Sequence, residues 1–217
     1  MDYAAARHAM VESQIRTNRV VDPAIVTALQ EIPRESFVPS QLRRVAYVDE
    51  AIPLGQGRWL MEPLAFASLL QAAEIQPKDV VLDVGCATGY SSAVLARLAA
   101  TVVAVEEIAS FGKEANRLLT DLSVLNAAVI EGRLSEGCPK QAPYDVIVIE
   151  GGVEEVPNAI IGQLSDGGRL VCIVLGNGGF GKGMVFSKIA GTLSRRSVFD
   201  AGTPLLPGFA RTPSFVF

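Results

Sequence analysis

The segment VLDVGCATGYSSAVLARL, Val81 to Leu98, constrains the fold more than any other stretch of the chain: a short apolar run, a turn of small residues, then apolar residues at helical spacing. It reads as a strand whose carboxyl end opens a ligand crevice just before a helix begins. Gly85, Ala87 and Gly89 keep the turn free of bulk, so ligand atoms can approach the backbone and the free amides that follow. Such amides suit a carboxylate as well as a phosphate. A dinucleotide fingerprint GxGxxG starting at Gly85 needs its second glycine at Ala87 and its third at Tyr90, where close helix-to-strand packing excludes a phenol ring. NAD is therefore disfavoured. Asp83 precedes the first glycine by two residues, and the next apolar run, TVVAVE, ends with Glu106 about twenty residues beyond the loop, a distance that suits a ribose diol.

Composition excludes several functional classes. Among 217 residues there are 19 Lys plus Arg and 23 Asp plus Glu, a mild acidity that gives no general pull toward nucleic acid or an anionic membrane. No apolar run has the length of a membrane span, and the amino terminus lacks a basic segment followed by a signal-type apolar core. Cys86, Cys138 and Cys172 are odd in number and lack metal-ligand spacing, which points to reduced thiols, a cytoplasmic setting and no metal centre. Cys86 lies in the small-residue loop and reads as a filler of a tight turn rather than a nucleophile. His8, the only histidine, sits in a surface helix pattern, so no Ser/His/Asp or Cys/His arrangement can be built around it.

The chain is expected to form one domain over residues 1–217, with a helical extension at 1–78 and an alternating core at 79–217. Residues from about 5 to 31 carry two helical patterns, split where Asp22 can cap and Pro23 takes the first helical position. Pro33, Pro39, Pro53 and Pro63 favour extended or irregular chain before a helix from about Pro63 to Glu74. From Val80 onward VVLDVG, TVVAVE, AAVIEG, YDVIVIEG and GRLVCIVL are short apolar runs, most of them separated by helical stretches. This is the α/β pattern of a doubly wound, mainly parallel, seven-stranded sheet. MVFSKIA and the stretch around SVFDAGTPLL read as closing strands, joined by a turn at Gly191 and Thr192 into an antiparallel edge hairpin. GNGGFGKG, Gly176 to Gly183, nearly spells a phosphate loop, but Gly183 stands where a magnesium-binding hydroxyl is needed and a strand pattern follows the lysine. It reads as a loop between strands.

The pattern DxGxxxG followed by a strand-terminal acid resembles the signature of class I S-adenosylmethionine (SAM)-dependent methyltransferases. MVESQIRTNRVVD, IPRESFVP, AYVDEAIPLGQG, the glycine loop, APYDVIVIEGG and VPNAIIGQLSDGGRLV, in this order, sharpen the likeness. Together they resemble the protein-L-isoaspartate O-methyltransferase family over about residues 10 to 175. The resemblance implies a Rossmann-like methyltransferase fold, SAM as cofactor, a protein or peptide substrate, and methyl transfer to the side-chain carboxylate of an isoaspartyl residue in damaged protein. It also implies that Asp83, Gly85, Cys86, Ala87 and Gly89 form the cofactor loop, with Ala87 where the family usually has glycine, and that Glu106 is the ribose acid. The family's Asp-Gly pair facing the adenine matches Glu131 and Gly132 if two extra residues precede APYD; without them Arg133 takes the acid's place. Glu131 is preferred, because a carboxylate accepts from the adenine amino group and a guanidinium cannot.

On the substrate side the chain departs from that family. The motif usually written GxGQTIS, one residue, then proline is here Gly55, Gln56, Gly57, Arg58, Trp59, Leu60, Met61, Glu62 and Pro63. Met61 stands at the serine implicated in family catalysis, and a thioether cannot donate a hydrogen bond to a carboxylate. Glu62 adds a like charge unless it is protonated or paired with Arg58. Arg58 can supply a replacement cation and Trp59 a stacking surface, or both can be packing residues; the apolar RWLM stretch is expected over the cofactor. Arg58, Met61 and Glu62 are thus the candidate catalytic positions. Two classes stay open: a methyltransferase acting on the family substrate or an altered one, and a SAM-binding protein without catalysis that works through a partner.

Overall fold

The alternating half of the sequence folds as a seven-stranded sheet in the computed structural model, which describes residues 1–176 and 180–211. Its elements are β3 (Val80–Val84), α4 (Tyr90–Leu95), β4 (Thr101–Glu106), α5 (Ala109–Asp121), β5 (Ala127–Glu131), β6 (Tyr144–Val153), α6 (Asn158–Ile161), β7 (Leu164–Leu175), β8 (Gly181–Ile189) and β9 (Thr192–Ala201). The strand order is β5-β4-β3-β6-β7-β8-β9, with β3 to β7 parallel and β8 and β9 antiparallel. The chain winds outward from β3 to β5 and then returns to the other side of β3 as β6. That reversal opens a crevice at the carboxyl ends of the central strands.

Successive side chains of a strand point to opposite faces, and the core follows this period. Val81, Val146, Val148 and Val171 pack on one face against the leader and the Pro63–Ala73 helix, whereas Leu82, Val84, Ile147 and Leu170 pack on the other with Ile160 and Phe209. The central strands are buried on both faces, so their sequences are continuous apolar runs rather than alternating ones.

The leader holds two helices, α1 (Tyr3–Met10) and α2 (Pro23–Glu31). α1 runs on through a π turn and a 3₁₀ turn to Arg19, whose φ of 67° ends it. Asp22 caps α2 by accepting from the amides of Ala24 and Ile25 at 2.8 and 3.3 Å, and Pro23 occupies the first turn, where its missing N–H costs nothing. After two 3₁₀ turns comes an antiparallel hairpin, β1 (Ile52–Gly55) and β2 (Arg58–Leu60), then α3 (Pro63–Ala73). The proline-rich stretch, read as extended or irregular chain, thus contains a small sheet. Its turn is made by Gly55, Gln56 and Gly57, all at positive φ, which is the signal that LGQG carried.

Arg34 ties these parts together. Its Nε donates to the Ala46 carbonyl at 2.7 Å and its Nη2 to the Met61 carbonyl at 2.6 Å, and its guanidinium lies over the Tyr90 ring at 5.0 Å. Thr88 adds a hydrogen bond from its hydroxyl to the Phe37 carbonyl at 2.7 Å. The leader is thereby fastened to the loop at the head of the sheet.

The closing hairpin forms, but it turns at Ala190 and Gly191, one residue earlier than expected, because Thr192 already pairs with Ile189 in the ladder. TPLL does not extend it. Pro204 has no N–H for the ladder, and the chain after Ala201 instead crosses the head of the sheet. There Gly152 donates to the Pro204 carbonyl at 2.9 Å and Leu206 donates to the Gly152 carbonyl at 2.8 Å. Of the near-phosphate-loop segment, residues 177–179 lie outside the described structure; Gly176 donates to the Phe180 carbonyl, and Lys182 is within β8.

Gly89 tests the packing of the loop on the helix layer. With φ at 93°, it has left-handed geometry, and an added Cβ would stand 2.9 Å from the Ala115 Cβ and 3.2 Å from its Cα on α5. Gly89→Ala should therefore destabilise the fold by about 1–3 kcal/mol, read from urea unfolding midpoints at constant slope.

Candidate functional site

Strands β3, β4, β5 and β6 deliver the glycine loop, Glu106, Glu131 and Glu150 to one edge of the sheet. Gly85, Ala87 and Gly89 all have positive φ, so the loop folds back on itself between β3 and α4. The Gly85 amide donates to the Val105 carbonyl at 2.9 Å, which fixes the loop beside β4. Asp83 lies beneath it, fully buried, accepting from the hydroxyls of Ser91 and Ser92 at 2.8 and 2.6 Å. Its Oδ2 thus ties β3 to the start of α4, while its Oδ1 has no partner among the described residues. Burial pushes the Asp83 carboxyl up to about 6; the two serines oppose this and the neighbouring Glu106 adds to it. Cys86 is buried, and burial beside Asp83 and Glu106 holds its thiol well above the ordinary range, as a filling residue requires and a nucleophile does not.

Glu106 is the hub of the crevice. Its Oε2 accepts from the Ala87 amide at 2.8 Å and its Oε1 from the Ile108 amide at 3.0 Å. The Arg58 Nη1 donates to both oxygens, at 2.7 and 2.8 Å, and the Arg58 Nη2 donates to the Gly85 carbonyl at 2.7 Å. Both side chains are wholly shielded from solvent. One guanidinium from the hairpin therefore joins the glycine loop to the strand-end acid. It does so because strand alternation in β2 turns Arg58 and Leu60 inward and leaves Trp59, 41% exposed, on the outside.

Leu206, from the strap after β9, closes the roof. A Cβ added at Gly85 would meet its methyl groups at 3.3 Å and the Arg58 Nη2 at 2.9 Å. The space between hairpin, strap and strand ends is a cavity of ≈ 10 Å³ lined by Gly57, Arg58, Met61, Glu150, Gly151 and Leu206. That is on the scale of a single water, against several hundred Å³ for a typical small-molecule site. Larger hollows, of ≈ 530 and ≈ 640 Å³, flank the closing hairpin and touch none of the loop residues.

Met61 is buried, and Glu62 is half-buried at the head of α3. Burial raises the Glu62 carboxyl, with Asp49 adding to the effect and Arg34 opposing it. The cation that sequence reasoning set against Glu62 is instead committed to Glu106, because the inward face of β2 opens on the loop. Glu131 is exposed at the end of β5, in register with Glu106, and Gly132 donates to the Glu106 carbonyl at 3.1 Å. Arg133 turns outward to Glu136 at 3.3 Å.

Two residues went unnoticed in the sequence. Glu150 ends the apolar run YDVIVIE, is 8% exposed, and has an Oε1 without a partner among the described residues. Burial holds its carboxyl well above the ordinary range. A carboxylate closing an apolar strand at the crevice edge was the available signal. Arg34 sat inside IPRESFVP, where nothing local separates a buried arginine from a surface one.

The sequence matches the family described as Protein-L-isoaspartate(D-aspartate) O-methyltransferase (PCMT) over residues 5–198. It is 40% identical over 168 residues to the Protein-L-isoaspartate O-methyltransferase of Methanoculleus marisnigri, covering 77% of this chain and 76% of that one. Against the protein of that name from Koribacter versatilis the identity is 37% over 213 residues, covering 98% and 96%. A solved protein-L-isoaspartate O-methyltransferase superposes with a TM-score of 0.79 at 26% identity, over 93% of this chain and 66% of that one. A Plasmodium falciparum structure assigned to the same enzyme type, in complex with S-adenosyl-L-homocysteine, shares the fold with a TM-score of 0.78 at 16% identity, over 92% and 97% of the two chains.

The buried Asp83 carboxyl gives the site a pH signature. Folding raises its pKa, so between about pH 4 and about pH 6 the folded protein holds a proton that the unfolded chain has lost. Its contribution to stability should fall as pH rises through that window and then level off. Asp83→Asn should remove this component, seen as unfolding midpoints whose difference from wild type changes across the window and is constant above about pH 7.

Proposed function

Because the chain belongs to the protein-L-isoaspartate(D-aspartate) O-methyltransferase family, we propose that it transfers a methyl group from SAM to a side-chain carboxylate of a protein or peptide. The carrying observation is the joint placement of the Gly85–Gly89 turn and Glu106 at one edge of the sheet, linked by the 2.8 Å contact from the Ala87 amide. The groups fit SAM in kind. Its donors are an ammonium, two ribose hydroxyls and an adenine amine, and the crevice offers the Gly85 carbonyl, the Glu106 carboxylate and the exposed Glu131 carboxylate as acceptors. Asp83 would act through Ser91 and Ser92, fixing the loop rather than touching the cofactor.

When bound, SAM supplies an electrophilic methyl group on a sulfonium. The acceptor carboxylate is already anionic at neutral pH, so the chain needs no strong base; its task is to position and desolvate. Met61 and Glu150 line one small cavity, which supports the reading that the acceptor binds on that side. Met61 offers no hydrogen-bond donor. Glu150 brings to the same cavity a carboxyl that burial holds well above the ordinary range. A protein substrate accords with the family. The three buried free cysteines accord with a reducing, cytoplasmic setting, and no described helix is long and apolar enough to cross a membrane.

The Met61 replacement also favours a second reading, a different methyl acceptor or SAM binding without catalysis. Purified protein with methyl-labelled SAM, offered an isoaspartyl peptide and then a cell extract, separates the readings. Label on the peptide supports repair; label only on another species supports an altered acceptor; SAM affinity without label supports the binding role. We expect wild-type methylation of an isoaspartyl peptide to be about a hundredfold below that of a serine-containing relative, the scale of losing one preorganised donor. Met61→Ser combined with Glu62→Gln should raise it, and a wild-type rate equal to the relative's would contradict the assignment.

A further inference from the structure

We propose that Arg58 is a built-in surrogate for the cofactor, a latch that must leave Glu106 before SAM can enter. The inference rests on the reading that the crevice takes SAM. A guanidinium carries five donors in a rigid fork, and here that fork serves the two crevice acceptors best suited to SAM's own donors. Nη1 holds both oxygens of Glu106, and Nη2 holds the Gly85 carbonyl. Glu106 also accepts from two backbone amides, so its two oxygens already receive four donor contacts. A ribose hydroxyl can reach it only by displacing Arg58.

Charge and space give the same result. SAM carries a net positive charge, its ammonium and sulfonium outnumbering its one carboxylate, so a buried guanidinium beside its ribose and sulfonium would be a like charge in a water-poor site. Space at the loop is tight as well, since the Arg58 Nη2 and the Leu206 methyl groups would stand 2.9 and 3.3 Å from a Cβ on Gly85. Leu206 rests on the other side of Gly85, so hairpin and strap must move together.

The coupling has a functional consequence. Arg58 is in β2, three residues before Met61, and the Met61 carbonyl is held by Arg34. Withdrawal of Arg58 from the cofactor side therefore shifts the segment that carries the acceptor side. Cofactor entry and the shaping of the acceptor site become one conformational step, and the apparent affinity for SAM is lowered by the small fraction of unlatched protein.

The test combines calorimetric titration of SAM with hydrogen–deuterium exchange of residues 52–60 and 203–209. Arg58→Ala should bind SAM at least tenfold more tightly than wild type. Adding SAM to wild type should increase exchange in both segments, the reverse of the protection a ligand gives when it docks into a preformed site. Should Arg58→Ala fail to fold, Leu206→Ala, which keeps the ion pair and loosens the roof, should tighten SAM binding by about threefold. Measurable and equal affinity in wild type and variants, with exchange falling on SAM addition, would overturn the latch and leave the cofactor reading standing. No binding by wild type or any variant would overturn the cofactor reading and the latch with it.

Discussion

The buried contact between Arg58 and Glu106 is the interaction on which the head of this molecule depends. Moving two charges out of water is costly, and their attraction repays that cost only where the remaining donors and acceptors are also satisfied. Here the Ala87 and Ile108 amides and the Gly85 carbonyl complete much of the set, though the Arg58 Nε has no partner among the described residues. The result is a joint between three parts distant in sequence: the hairpin, the glycine loop and the end of β4. A buried pair of this kind contributes less to net stability than its short distances suggest, yet removing one partner typically costs about 3–5 kcal/mol because the other charge is left exposed to an apolar interior. It specifies an arrangement more than it strengthens one.

Around that joint the crevice gathers ionisable groups that a simple apolar core would exclude. Arg34 anchors the backbone at Met61, Asp83 anchors α4, and Glu150 faces the same small cavity as Met61. Arg34 Nη1, Asp83 Oδ1, Glu150 Oε1 and Glu62 Oε2 have no hydrogen-bond partner among the described residues. Unsatisfied buried polar atoms are uncommon in folded proteins, and each carries a desolvation cost.

The sheet was legible because its strands are buried on both faces, which forces continuous apolar runs at βα spacing, and because Asp22–Pro23 and Gly191 punctuate the chain by fixed backbone rules. The glycine loop and Glu106 were legible for the same reason: local geometry demands small residues at one point and an acid at another. What the sequence hid was tertiary. Arg58 was visible as a cation near the site, but its partner lies 48 residues away, and only the closure of the hairpin over the loop selects Glu106 rather than Glu62. TPLL had a strand-like composition, and the strap it forms became apparent only once Pro204 was seen to leave the ladder and Leu206 to meet Gly85. Glu150 was hidden by its setting, since an acid at the end of an apolar run reads as the strand's exit to solvent.

The account stands or falls on what Glu106 holds when the crevice is occupied. A crystal structure of this chain grown with S-adenosyl-L-homocysteine would show it directly. The account predicts ribose hydroxyls on the Glu106 carboxylate, the Arg58 guanidinium withdrawn from both Glu106 and the Gly85 carbonyl, and Leu206 lifted from Gly85. A complex in which the nucleoside is bound while Arg58 keeps both contacts would contradict it.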